Sequence, residues 1–206
     1  MKKIWNAEEK LQYERALLAK GVRYIAGVDE VGRGPLAGPV VCAAVVMPLG
    51  ESDLIVGVDD SKKVSIKKRE ILSEEIKKKA LAYTIVEVSE KEIDEINILE
   101  ATKLGMKKAL ETLSIAPETV LTDGNMTLNI DFPQRSVIHG DALSYSIGAA
   151  SIIAKVYRDK MMDEYAKEYP QYAFDSNKGY GTAAHIQAIK EYGLCPIHRR
   201  TFTKNF

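Results

Sequence analysis

The chain has 206 residues, 46% hydrophobic and 28% charged, with Lys plus Arg and Asp plus Glu both 29 and a formal net charge of zero. This is the make-up of a folded globular chain; it excludes collagenous, coiled-coil and disordered classes and argues against a bulk-basic nucleic-acid binder, though not against local basic patches. The longest apolar run, Val40 to Leu49, falls well short of the about twenty residues a spanning helix needs, and no apolar stretch follows Met1-Lys2-Lys3, so neither a membrane span nor a secretory leader is expected.

In chain order, Asn6 to Lys20 reads as a helix stopped by Gly21. Tyr24 to Asp29 reads as a strand ending in the forced turn Gly32-Arg33-Gly34-Pro35. Pro39 to Met47 is nearly all apolar, the pattern of a strand buried on both faces. Ser65 to Ala80 is a basic amphipathic helix, and Ala82 to Val88 a β-branched strand. Ser89 to Ile96 and Ile98 to Leu113 read as helices. Thr119 to Asp123 and Ser136 to Ile138 read as short strands, Asp141 to Tyr169 as one long helix, and Thr182 to Tyr192 as a shorter one. Clustered strands followed by alternation with helices predict an α/β fold, a mixed central sheet flanked by helices, in a single domain. That domain spans 1–206, with 1–21 an N-terminal helix and 182–206 a C-terminal helix and basic tail. Cys42 and Cys195 lack the spacing of a zinc site and are read as reduced thiols in a cytoplasmic protein.

The segment Gly27 to Gly38 fits neither of two glycine-rich signatures. Gly27 and Gly32 have P-loop spacing, but Arg33-Gly34 stand where Lys-Ser/Thr is needed. Gly32, Gly34 and Gly38 miss the dinucleotide fingerprint by one residue, and a strand follows instead of a helix. What remains is an acidic pair, Asp29 and Glu30, at a strand end. Consecutive strand residues face opposite ways, so the pair is expected to share a site only if the strand stops there and turns. Asp123 ends a second strand before Gly124-Asn125. It is either a turn aspartate or a partner of the first pair. Three oxygen ligands without His or Cys suit Mg²⁺ or Mn²⁺ and not zinc.

On the long predicted helix, Asp141 and Asp159 are about 27 Å apart along the axis and cannot serve one centre. Asp141 is read as an N-cap that can also face a metal, and Asp159 as an ion-pair residue. The small face Gly148, Ala149, Ala150, Ser151 and Ala154 lets this helix pack closely on a sheet. His139 and His185 read as surface or capping histidines. His198-Arg199-Arg200 offers either a phosphate clamp or a solvated tail. The basic stretch Lys62 to Lys79 contrasts with the acidic Glu87 to Glu95.

Taken together, several ordered motifs resemble ribonuclease HII: Gly27-Val28-Asp29-Glu30-Val31-Gly32-Arg33-Gly34-Pro35-Leu36-Ala37-Gly38-Pro39-Val40, Asp60-Ser61-Lys62-Lys63, Thr122-Asp123-Gly124-Asn125, Gly140-Asp141, Ala149 to Asp159, Lys178-Gly179-Tyr180-Gly181-Thr182 and Pro196-Ile197-His198-Arg199. They run in order from about Ile25 to Phe202. The resemblance implies an RNase H-like fold with additional C-terminal helices and cleavage of RNA in RNA–DNA hybrids. It also implies incision 5′ to single ribonucleotides embedded in duplex DNA, by two Mg²⁺ or Mn²⁺ ions, in a monomer without membrane attachment. By motif, Asp29, Glu30 and Asp123 match the family's metal ligands and Asp141 its fourth acidic site. Gly32, Arg33, Gly34 and Tyr180 match the elements that read the junction, and Lys62 and Asn97 match positions near backbone phosphates. Two departures stand out. His139 replaces the lysine common before Gly-Asp, and the sequence ends soon after Phe202, which implies no C-terminal helical extension and a weaker grip on substrate. Readings outside the family are another RNase H-like nuclease such as a junction resolvase, and a non-catalytic hybrid-binding protein.

Overall fold

A computed structural model describes residues 5–205. The elements in chain order are α1 (Ala7–Lys10), α2 (Gln12–Leu18), β1 (Ile25–Val31), β2 (Val40–Val46), α3 (Ile66–Lys79), β3 (Ala82–Val88), α4 (Glu90–Glu111), β4 (Thr119–Asp123), β5 (Gln134–Val137), α5 (Gly140–Leu143), α6 (Tyr145–Glu168), α7 (Phe174–Asn177) and α8 (Ala183–Tyr192). The strands form one five-stranded sheet in the order β3-β2-β1-β4-β5. The β1–β2 and β2–β3 pairs are antiparallel, and β1–β4 and β4–β5 are parallel. The expected mixed sheet with flanking helices is therefore present. No helix among the described residues is long and apolar enough to cross a membrane.

Alternation along β2 sorts the core into two layers. Val41, Ala43 and Val45 pack with α3 and α6, while Cys42, Ala44 and Val46 pack with Met106, Ala109 and Leu110 of α4. This is why β2 is buried at every position. α6 lies directly on β1, and the contact demands glycine: a Cβ on Gly27 would sit 2.1 Å from the Ser146 main chain. Asn97 breaks α4 at φ 66°, and its Oδ1 accepts from the Leu99 and Glu100 amides to start the second half. The two helices expected on either side of Asn97 are thus joined by one residue.

Three expectations need correction. The N-terminal helix is broken at Leu11, whose backbone leaves helical geometry. β1 does not stop at Asp29 but runs on to Val31. The helix expected from Asp141 to Tyr169 is two helices, because Ser144 is extended (φ −118°, ψ 129°) and caps α6 through its side chain. Asp141 therefore sits on the separate short helix α5, with His139 in the left-handed region at its N-cap and no side-chain cap from either residue.

Candidate active site

The parallel register sets Val28 against Thr122, so the next residues, Asp29 and Asp123, stand side by side at the carboxyl ends of neighbouring strands. Functional groups of open α/β sheets gather at such ends. β1 outruns β4, which ends at Asp123, so no strand flanks Glu30 and Val31 on that side. Although Asp29 and Glu30 begin on opposite faces, both therefore reach one cavity. That cavity, of about 190 Å³, is lined by Asp29, Glu30, Asp123 and Asp141 together with Ser61, Lys62, Ser151, Lys155 and Tyr180. α5 brings Asp141 in through the main chain, since the Gly140 amide donates to Asp123 Oδ1 at 2.6 Å.

The carboxylates strain one another electrostatically. Burial first, then the charges of Glu30 and Asp123, push Asp29 well above the usual aspartate range. Burial, opposed by Arg33 and reinforced by Asp123, lifts Glu30 to about 7. Burial, Asp123 and Asp60 raise Asp141. Partial burial works against the charge of Lys62, yet Asp141, Asp60 and Asp29 hold its pKa above the ordinary lysine value. Arg33 reaches Glu30 Oε1 at 3.6 Å, but Glu30 Oε2 is buried with no hydrogen-bond partner. An orphaned carboxylate oxygen among carboxyls with raised pKa values is what a divalent cation would satisfy, so the donor set fits a hard metal. No three of these side chains close on a single point among the described residues.

The Gly32–Pro39 loop is shaped from behind by two arginines with no exposure at all, Arg158 and Arg199. Arg199 donates to the carbonyls of Gly32, Arg33 and Gly38. Arg158 donates to those of Ala37, Pro39 and Lys178. Gly32 is obligatory here: its φ is +94°, and a Cβ would lie 2.2 Å from Arg158 Nε. The Tyr180 ring lies against Gly34 and is 44% exposed. The Tyr180 carbonyl accepts from His185 Nδ1, and His185 Nε2 meets His198 Nε2 at 3.0 Å.

His198 and Arg199 are thus not a phosphate clamp or a solvated tail; His198 is buried against His185 and Cys195, Arg199 is buried on the carbonyls of Gly32, Arg33 and Gly38, and only Arg200 is exposed. His185 is likewise fully buried instead of superficial. Asp159 is the ion-pair residue expected, held by Lys155 and Arg69. Asn97 lies on the kink of α4 and does not line the cavity, whereas Lys62, Arg33 and Tyr180 are at or beside it. Ser61, Ser151 and Lys155 were not singled out as lining residues from the sequence. For Ser151 and Lys155 the i,i+4 spacing on the face that begins at Gly148 was an available signal; Ser61 lies on a loop with no such periodicity.

A mixed sheet with carboxylates collected at the carboxyl ends of its central strands, beside exposed basic and aromatic groups, defines a metal-assisted hydrolase of phosphate esters. The comparisons narrow the class. The ribonuclease HII family model matches residues 26–205. Ribonuclease HII of Ruminiclostridium cellulolyticum is 55% identical over 199 residues, 97% of this chain and 77% of that protein. Ribonuclease HII of Caldicellulosiruptor bescii is 53% identical over 198 residues, 96% of this chain and 95% of its own length. The solved ribonuclease H2 from Pyrococcus horikoshii OT3 has a TM-score of 0.73 at 30% identity, covering 88% of this chain and 95% of the other. This chain belongs to the ribonuclease HII family; it is a metal-dependent endoribonuclease of the type 2 ribonuclease H class and has the RNase H-like fold.

Proposed function

We propose that the chain, acting as one catalytic unit and as a monomer in the cytoplasm, cuts the RNA strand of RNA–DNA hybrids and incises 5′ to single ribonucleotides in duplex DNA. The observation that carries this is the meeting of four carboxylates from three separate segments with Lys62 and Tyr180 in one cavity. Asp29, Glu30, Asp123 and Asp141 would hold two divalent ions, Mg²⁺ or Mn²⁺, which when bound activate the attacking water and stabilise the leaving oxygen. Asp29, flanked by Glu30 and Asp123, would be the central carboxylate of that set.

Selection for RNA rests on the 2′-hydroxyl, the group that distinguishes the two nucleic acids at a site. The main chain of Gly32, Arg33 and Gly34, unshielded by side chains at both glycines, can approach the sugar closely. Tyr180 offers a ring for the sugar and a hydroxyl beside it. Lys62 places an ammonium at the cavity edge for a backbone phosphate; Asn97, exposed at the kink of α4 outside the cavity, is proposed near a backbone phosphate on its motif resemblance alone.

Incubation with a duplex carrying one ribonucleotide, with and without divalent metal, followed by mapping of the cut, tests the reading. Metal-dependent incision on the 5′ side of the ribonucleotide is expected. Cleavage at a branched junction but not at the ribonucleotide would overturn it.

A further inference from the structure

The residues matched by the family model begin at 26, yet the helices before them reach the metal pocket from behind. Lys10 is 8% exposed, and its ammonium lies 2.5 Å from both Asp59 Oδ1 and the Ala142 carbonyl. Glu14 is fully buried; its Oε1 accepts from the Ser144 hydroxyl at 2.6 Å and the Ser146 amide at 2.9 Å. The Trp5 indole donates to the Val58 carbonyl at 2.8 Å. Burying an ammonium and a carboxyl group is unfavourable unless each is well bonded; Lys10 is bonded on two sides, whereas Glu14 Oε2 is buried with no hydrogen-bond partner, so this segment keeps a costly polar grip.

The partners show what it holds. Lys10 and Glu14 grip both sides of the break between α5, which carries Asp141, and α6. Lys10 and Trp5 grip the start of the loop that carries Lys62. The two loops meet over Gly148, where a Cβ would lie 3.0 Å from the Asp141 carbonyl and 3.8 Å from the Asp59 amide. The grip continues into the Lys62 loop: Asp59 accepts from the Asp60 amide, Asp60 accepts from the Lys62 amide, and Ser61 bonds Ser151 of α6.

We propose that α1 and α2 are a strap in which Lys10 and Glu14 are positioning residues, holding the Asp141 turn and the Lys62 loop in the register that binds divalent metal. The inference rests on the reading of Asp141 as a metal ligand. Neither side chain lines the cavity, so their effect is on where Asp141 stands and not on the chemistry.

The test uses the full chain in six forms: wild type, Lys10→Met, Lys10→Arg, Glu14→Leu, Leu17→Ala and Asp141→Asn. Leu17 packs from the same helix against Ile25, Leu121, Val137 and Ile147, so its truncation destabilises α2 without touching the polar grip. Mn²⁺ binding is measured by titration calorimetry, and cleavage of the single-ribonucleotide duplex is followed against Mg²⁺ concentration. Lys10→Met and Glu14→Leu, which removes the acceptor of the Ser144 and Ser146 bonds, are expected to raise the metal midpoint on the order of tenfold, the usual effect of removing groups that orient ligands, with cleavage recovering at saturating metal. Leu17→Ala should lower the melting temperature and leave the midpoint in place, and Lys10→Arg should restore much of the lost affinity. Unchanged midpoints in Lys10→Met and Glu14→Leu, beside a raised one in Asp141→Asn, would overturn the strap alone. An unchanged midpoint in Asp141→Asn would overturn the ligand reading and the strap with it.

Discussion

Glu30 shows how a functional residue works against the metal-free fold. In the unfolded chain its carboxyl loses its proton near the ordinary 4.5, whereas in the fold it holds the proton to about 7. Between those values the folded state binds more protons, so stability falls as pH rises through the window. Above it the penalty is on the order of 3 kcal/mol. Glu30→Gln is therefore expected to melt higher than the parent at pH 8 in chelator and to converge with it near pH 5, in thermal melts followed by circular dichroism. Asp29→Asn should abolish cleavage with either Mg²⁺ or Mn²⁺ while melting no lower than wild type; a fully active variant would remove the mechanism. His198 has the opposite sign. Burial and then His185 hold it down to about 4, so it contributes stability that is present above 6.5 and lost as pH falls toward 4.

Between elements, the decisive contacts are close approaches that leave no slack. Gly27→Ala places a methyl group against the main chain of α6 and must lift the helix from β1. The cost should be at least 1–3 kcal/mol, roughly the usual price of overpacking, read as a lower denaturation midpoint in urea. Arg199 spends its guanidinium on three carbonyls of the Gly32–Gly38 segment, and Lys could satisfy at most part of that fork. Arg199→Lys is expected to cost about 3 kcal/mol. It should also lower the preference for a ribonucleotide junction over a long hybrid, in a competition assay with both substrates. The Ser89 capping box at the start of α4, with Glu92 bonding back to the Ser89 amide, shows the reverse case, a helix start set by neighbours in sequence.

For the molecule as a whole, zero net charge conceals segregation. Acids fill the cavity, while Lys62, Lys63, Lys67 and Lys68 are exposed along one loop and the first turns of α3. Affinity for duplex should fall linearly on a log–log plot against salt as counterions are released. Substituting Lys67 and Lys68 together by Ala should reduce that slope by about 2, measured by fluorescence anisotropy. A slope unaltered by the double substitution would place the phosphate contacts elsewhere.

Local sequence was enough where the signal is local. β3 and β4 have the bounds read from their β-branched runs, α8 starts at its Thr182 cap, and Asp123 has the signal of an acid that ends a strand before glycine. At Ser144 a local signal exists, a serine that caps α6 by accepting from the Ile147 amide, but its partner Glu14, which accepts from the Ser144 hydroxyl, lies 130 residues earlier. His198 and Arg199 look like a solvated tail for the same reason, since their partners are main-chain carbonyls about 160 residues upstream and a second buried histidine. The kinds of side chain, and so the chemistry, were written in the one-dimensional order. Which of them are buried, and how Asp29, Glu30, Asp123 and Asp141 come to share a cavity, depended on long-range packing, because a backbone carbonyl or a distant carboxylate leaves no mark on the residues beside the one it holds.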